Sequence, residues 1–373
     1  MDALMLPLNW QRVRLGDIGK PCMCKRVMKH QTTRYGEIPF YKIGTFGNTA
    51  DAFISKKLFL EYKIKYSFPK KGDILISASG TIGKAVIYDG KPAYFQDSNI
   101  VWIDNDETLV KNDFLFYAYS NVKWNTEHTT ILRLYNDNFR NTLIPLPPLN
   151  EQSAIANVLS GLDRYLCALD ALILKKESVK KALSFELLSQ RKRLKGFNQA
   201  WQRVRLGDIA NYLTSNLSVE QITQQGEIKV YDVNNFIGYT DTTFISDKPY
   251  ISIVKDGSVG RVRILPPKTN ILSTMGALIA NHRTTTEFLF YLLSNFDFKN
   301  FTSGSIIPHI YFKDYKEKTI FLPPLNEQSA IANILGALDN EIASLKNKKR
   351  QFENIKKALN HDLMSAKIRV LEK

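Results

Sequence analysis

Leu146-Pro-Pro-Leu-Asn-Glu-Gln-Ser-Ala-Ile-Ala-Asn157 recurs letter for letter as Leu322 to Asn333, at an offset of 176 residues. Working outward toward the N-terminus, Trp10-Gln-Arg-Val-Arg-Leu-Gly-Asp-Ile18 recurs as Trp201 to Ile209, at an offset of 191. Weaker echoes lie between them in the same order: Gly80-Thr-Ile-Gly-Lys84 against Gly257-Ser-Val-Gly-Arg261, and Phe116-Tyr-Ala-Tyr-Ser-Asn121 against Phe290-Tyr-Leu-Leu-Ser-Asn295. The chain is therefore a duplication, and each copy is a variable block closed by a near-identical segment. The offset falls from 191 to 177 by the Gly-x-x-Gly turn, so a length difference of 14 residues lies early in the block. Interiors diverge while edges stay fixed, the pattern of one scaffold holding two different readers.

Asn150 and Asn326 each follow Pro-Pro-Leu and precede Glu, which predicts a helix capped at that asparagine with an acid at its positive end. Alternate steps of three and four from Ile155 give Val158, Leu162, Tyr165, Leu169, Leu172, Lys176, Val179 and Leu183. The same steps from Ile331 give Ile334, Leu338, Glu341, Leu345, Lys348, Phe352, Ile355 and Leu359. These mostly apolar rows predict the narrow seam of a coiled coil. The first helix is expected to end near Gly196, after the basic stretch Arg191 to Lys195, and the second to run toward Ile368; each would be about 65 Å long at roughly 1.5 Å per residue. Antiparallel pairing lets the intervening block enter and leave at close points, so short connections favour it over parallel pairing. The expected architecture is α+β: two globular blocks separated by an antiparallel pair of long helices, with a pseudo-two-fold internal repeat. Its boundaries are 1–149, 150–196, 197–325 and 326–373.

Across 373 residues, 51 Lys and Arg stand against 36 Asp and Glu, a net charge of +15 that favours a polyanionic partner. Nucleic acid comes first and an anionic membrane surface second. An apolar fraction of 44 %, with 17 Tyr and 21 Phe, is enough for true cores and argues against wholesale disorder. No stretch approaches 18 uninterrupted apolar residues, and the start lacks a basic segment followed by an apolar run, so a cytoplasmic protein without a membrane partner is expected. The cysteines Cys22, Cys24 and Cys167 cannot make a disulfide framework, and Cys22-x-Cys24 lacks a second pair at zinc spacing. No metal is expected.

Within the blocks, runs at 72–77, 85–88, 99–104, 229–233, 250–254 and 261–265 read as strands, with helices near Asp113 to Asn121 and Thr286 to Phe296. Basic and hydrogen-bonding residues mix there with aromatics. The candidate DNA contacts are Arg34, Tyr35, Lys42, Asn48, Lys84 and Arg133 in the first block, and Asn235, Arg261, Arg283, His309 and Lys313 in the second. Lys84 and Arg261, each after a glycine turn, are placed to offer charge to phosphates.

Catalytic signatures are missing. Ala78-Ser-Gly-Thr-Ile-Gly-Lys-Ala85 has Ala where a P-loop needs its opening Gly and its Mg²⁺-binding Ser or Thr. The Pro-Pro pairs at 147, 266 and 323 follow Leu and precede no aromatic, so none can grip a flipped base by hydrogen bond and stacking. The histidines His30, His128, His282, His309 and His361 form no His-Glu-x-x-His pair, and no Gly-x-Ser-x-Gly elbow is present. No catalytic residue is assigned, and a binder that positions another protein's chemistry is expected. The alternative is a coiled-coil adaptor without sequence-specific DNA reading.

The duplicated Trp-x-x-Val-x-Leu-Gly-Asp-Ile segments and the Pro-Pro-Leu-Asn-Glu-Gln helix starts (Pro147 to Gln152, Pro323 to Gln328) resemble the specificity subunit of a type I restriction-modification system, over essentially the whole chain. The resemblance implies that each block is a target recognition domain reading one half of a split, asymmetric site in double-stranded DNA. It further implies that the helices set the gap and dock two methyltransferase subunits. Those subunits would carry S-adenosylmethionine, and a restriction/translocase subunit would use ATP and Mg²⁺, with no cofactor in this chain.

Overall fold

The computed structural model describes residues 7–128 and 132–370. It divides into two compact units, Met1–Leu169 with Lys348–Lys373, and Asp170–Asn347. Each unit combines one variable block with the first part of one long helix and the last part of the other.

In the first unit the two repeated edges of the block pair with each other. Strand Gln11–Arg14 runs antiparallel to Leu143–Leu146, from Gln11 opposite Leu146 to Arg14 opposite Leu143. Inside lies a four-stranded antiparallel sheet in the order Gly19–Cys22, Ile100–Asn105, Ile74–Ser77, Ala85–Ile87. A second sheet joins Phe53–Ile54, Ile38–Tyr41 and Tyr94–Phe95, the last pairing parallel. Strand Ile74–Ser77 is buried on both faces. Its period-two alternation sends Ile74 and Ile76 into a core with Phe114, Leu115, Ile155 and Leu159, and sends Leu75 into an aromatic core with Phe40, Tyr94, Phe95 and Trp102.

The second unit repeats this topology. Its four-stranded sheet is Ala210–Thr214, Met275–Ala280, Tyr250–Val254, Val262–Leu265, and its three-stranded sheet is Phe236–Thr240, Ile228–Tyr231, Thr269–Ile271. Gln202–Arg205 pairs with Thr319–Leu322 as the first unit's edges do. The extra length of the first copy lies largely in helix Lys56–Lys65, whose start is capped by Ser55 Oγ accepting from the Leu58 N–H at 3.2 Å. The second unit has no helix in the corresponding connection.

The glycine turns are packing devices. Gly83 and Gly260 hold φ near 80°, and a Cβ at Gly83 would sit 2.1 Å from the Trp124 indole nitrogen, at Gly260 2.6 Å from the Phe298 ring. A ring closing over each turn requires glycine.

The long helices span Leu149–Leu188 and Leu325–Met364, 40 residues or roughly 60 Å each. They begin one residue before the predicted caps. The Pro148 carbonyl accepts the Glu151 and Gln152 N–H groups, both at 2.9 Å, and Pro324 accepts from Gln328. Asn150 and Asn326 therefore sit in the first turn, because the proline carbonyls already serve as the first acceptors.

Both helices also stop earlier than their sequences suggest. Gln190 and Ala366, equivalent in the repeat, adopt left-handed backbone with φ of 61° and 57° and turn the chain back. The basic stretch after Leu188 is consequently not helical, and neither is the segment around Ile368.

Rising numbers on one helix meet falling numbers on the other, so the pairing is antiparallel. In the first unit Asp163 pairs with Lys356 and Glu151 with Arg369. In the second, Lys180 pairs with Asp339 and Glu177 with Lys346.

The seam departs from the predicted one at alternate positions, except that Tyr165, half-buried, keeps its predicted place by packing on Phe352 of the other helix at 4.8 Å between ring centroids. Buried or half-buried residues run Ile155, Leu159, Leu162, Leu166, Leu169, Ile173, Lys176, Lys180, Leu183, and Ile331, Leu335, Leu338, Ile342, Leu345, Lys349, Phe352, Lys356, Leu359. Ile155, Leu162, Leu169, Leu183, Ile331, Leu338, Leu345, Phe352 and Leu359 lie in it. Val158, Leu172, Val179, Ile334 and Ile355 are exposed instead. The first step along each helix is four residues, because Leu159 and Leu335, each fully buried, reach into the core of their own block.

Candidate nucleic-acid interface

A repeated polar junction holds each block on the helices. In the first unit Glu151, 1 % exposed, accepts from the Trp10 indole at 3.0 Å and from the Arg369 guanidinium at 2.5 and 2.8 Å. In the second, Glu327, 0 % exposed, accepts from Trp201 at 2.9 Å and from Arg193 at 2.7 and 3.2 Å. The pairing with Glu151 holds the Arg369 guanidinium more firmly protonated than usual. The next residue does a second task. Gln152 donates to the carbonyls of Leu109 and Pro147 and accepts from the Lys111 N–H. Gln328 donates to the carbonyls of Arg283 and Pro323 and accepts from the Thr285 N–H.

A further cluster welds the block to both helices. The Tyr117 hydroxyl donates to Asp163 at 2.7 Å, and Lys356 pairs with the same carboxylate. In the second unit Tyr291 donates to Asp339 at 2.9 Å beside Lys180. Burial, and then the neighbouring carboxylate, push both phenols well above their usual range, so they stay donors.

On this frame the first unit carries a basic cleft of about 500 Å³ lined by Arg26, Lys29, Thr32, Phe40, Lys42, Gln96, Asp97, Ser98, Asn99 and Arg133. Arg133 stands opposite Ser79 in an isolated antiparallel bridge, and the Ser79 hydroxyl donates to the Asn99 side chain at 2.7 Å. Arg26 pairs with Asp97 at 2.9 Å and Lys42 with Asp51 at 2.9 Å. The Lys42 ammonium keeps the exposed Asp51 carboxyl below its usual range.

The second unit builds the same bridge from other residues. Asp256 stands opposite His309, with His309 Nδ1 2.6 Å from Asp256 Oδ1. The imidazole stacks on Tyr311 at 6.5 Å between centroids, and the Lys313 ammonium lies 5.5 Å over that ring. Arg261 donates to Asn234 Oδ1 at 2.8 Å, while Arg263 donates to the Asn234 carbonyl and covers the Tyr231 ring at 5.2 Å.

Among the sequence candidates, Lys42 and Arg133 share the first cleft, and His309 and Lys313 share the Tyr311 face. Arg34 and Tyr35 are exposed and do not line the cleft, although Thr32 of the same loop does. Asn48 lines a separate cavity of about 400 Å³ with Tyr41, Phe46 and Phe95. The Lys84 ammonium donates to the Phe46 carbonyl at 2.5 Å, so its first task is to fix that loop. Asn235 lies in a turn closed by Asp232, whose carboxylate accepts its N–H at 2.6 Å. Arg283 belongs to the junction: Gln328 binds its carbonyl, and its guanidinium reaches Gln202 at 3.2 Å. Gln96, Ser98 and Asn99 escaped the sequence reading because they are uncharged and sit on a strand-to-strand loop without a motif. His128 is described only in its backbone, as the partner of Leu132 in a short hairpin. Among the described residues no cluster could hold a metal ion, and no helix is long and apolar enough to cross a membrane.

Comparison with known proteins gives this arrangement its family. Residues 7–177 and 198–354 each match the type I restriction modification DNA specificity domain. A putative type I restriction enzyme specificity subunit of Haemophilus influenzae is 62 % identical over 152 residues, which is 40 % of either chain. The specificity subunit of the type I restriction enzyme MjaVIII of Methanocaldococcus jannaschii is 26 % identical across 99 % of this chain and 95 % of its own. The fold matches the crystal structure of the type I restriction-modification S subunit from M. genitalium with a TM-score of 0.64, 19 % identity, and coverage of 96 % and 98 % of the two chains. With both repeats matched and the fold shared, this chain belongs to the family of type I restriction-modification DNA specificity subunits.

Proposed function

We propose that this chain, a DNA sequence-recognition subunit without catalysis of its own, reads one half of a split site with each unit. The observation that carries the reading is the isolated bridge that holds Arg133 in one unit and His309 in the other. Equivalent positions with unlike side chains demand unlike half-sites. A guanidinium suits the paired acceptors of guanine, whereas an imidazole held by a carboxylate presents a single ring edge. The adaptor alternative is not favoured, since both matched repeats are DNA specificity domains.

The antiparallel helices set the gap between half-sites, and two methyltransferase subunits dock against them. The exposed residues Val158, Leu172 and Val179, fourteen and seven residues apart and each one place before a seam residue, leave apolar surface along the flank of the seam that suits a partner helix. Those partners bring S-adenosylmethionine, and a further subunit brings ATP and Mg²⁺ for translocation and cutting. The cytoplasm is where such an assembly meets chromosomal DNA.

The test is a map of methylated adenines in cells with and without this chain. Two unlike short motifs around a fixed gap, present only with the chain, are expected. A single uninterrupted motif would overturn the reading.

A further inference from the structure

We propose that the tip Gly304–Pro308 of the second unit is an apolar wedge that enters the base stack of the DNA beside the bases His309 reads; this rests on the reading of that unit as a DNA-binding surface. Ile306 is 91 % exposed and Ile307 55 % exposed at the end of a hairpin formed by Thr302–Ser303 and His309–Ile310. Two adjacent isoleucines held in water cost free energy that nothing in the unit recovers.

The tip is held by its own turn. Gly304 holds φ of 90°, and a Cβ there would meet the Ile307 carbonyl at 2.3 Å, so the turn is tightly closed. Below it, Gly257 N–H donates to the Pro308 carbonyl and Ile310 N–H to the Lys255 carbonyl, both at 2.9 Å. The hairpin is thus bolted to the turn that ends in Arg261, and its side chains project from a fixed base.

The surroundings select the occupant. Lys313 lies over Tyr311 on the same segment, and the carboxylate of Asp256, which bridges to the stem, is engaged by His309. An aliphatic tip with a cationic group on its own segment matches a base step flanked by phosphates. Ile, Leu and Pro are side chains that wedge open such steps and kink the duplex. Two side chains supply far less area than the roughly 800 Å² per partner of a stable protein interface, so a protein occupant fits poorly.

The test uses the full chain assembled with its methyltransferase partners, on a duplex carrying the methylated site with 2-aminopurine placed in turn at each position of the second half-site. Wild type is expected to raise the fluorescence at one base step. Ile306→Ser with Ile307→Ser should abolish that rise and weaken site binding about tenfold or more while leaving the salt slope unchanged, because no cation is removed. Ile306→Leu with Ile307→Leu should restore both signals, which separates lost wedging from lost folding. No fluorescence rise with wild type, or the same rise with the serine variant, would overturn the wedge. Normal fluorescence with failure of the serine variant to co-assemble would overturn it in favour of a protein contact. Failure of wild type to bind the second half-site at all would instead overturn the DNA-reading role of the unit.

Discussion

Arg369 and Glu151, separated by 218 residues, form a two-pronged ion pair at 2.5 and 2.8 Å, and Arg193 with Glu327 repeats it in the other unit. In each unit the carboxylate comes from the start of one long helix and the guanidinium from just beyond the end of the other. The Trp10 and Trp201 indoles bind the same carboxylates. One glutamate therefore fixes block, helix start and helix end together.

Removing that glutamate should be costly. Glu151→Ala discards two charge-assisted bonds and leaves a buried indole N–H unpaired, and about 3 kcal/mol of stability should be lost. Glu327→Ala should act alike in the second unit. Urea unfolding followed by tryptophan fluorescence measures both, and a loss below about 1 kcal/mol would mean that the junction is incidental.

The left-handed residues that turn the chain back toward these carboxylates make an opposite expectation. Ala366→Gly relieves the clash of a Cβ in that backbone region and should raise stability by about 0.5–1 kcal/mol. Ala366→Val should lower it. Thermal unfolding of the pair decides, and a glycine variant less stable than the parent would contradict the turn.

Seam phase is tested by a contrast along one helix. Leu159→Ala empties a buried site and should cost about 2–5 kcal/mol. Leu172→Ala, on the exposed flank, should change stability by no more than about 0.5–1 kcal/mol but weaken co-purification of the methyltransferase subunits. Equal stability losses in the two would return the seam to the other phase.

Much of this was legible in the sequence, and the misses have physical causes. The duplication predicted two copies of one topology, and the pairing of Gln11–Arg14 with Leu143–Leu146 explains why both edges of each block repeat together. The seam phase was ambiguous because Ile155 is followed by an apolar residue at both the third and the fourth place, Val158 and Leu159. Only the core beneath Leu159 breaks the tie. The basic run after Leu188 read as a helix end, whereas Arg193 is needed to reach a carboxylate 134 residues away. Lys84 and Arg283 read as free cations because carbonyl and amide partners leave no charge pattern. The Arg133 and His309 candidates met at one equivalent bridge, a relation that no spacing in the sequence reveals.

The bridge yields a separable expectation. Arg133→Ala should relax the first half-site alone and His309→Ala the second alone, each weakening specific binding by about 1–3 kcal/mol. Competition binding against duplexes altered in one half at a time measures it. An equal effect of either substitution on both halves would contradict the assignment.

Exchange of residues 19–145 for the corresponding block of a relative, followed by single-molecule mapping of methylated adenines in the host, tests the central claim most directly. One half of the recognised sequence should change while the other half and the gap between them persist. A map in which both halves change, or neither does, would contradict two independent readers carried on one frame.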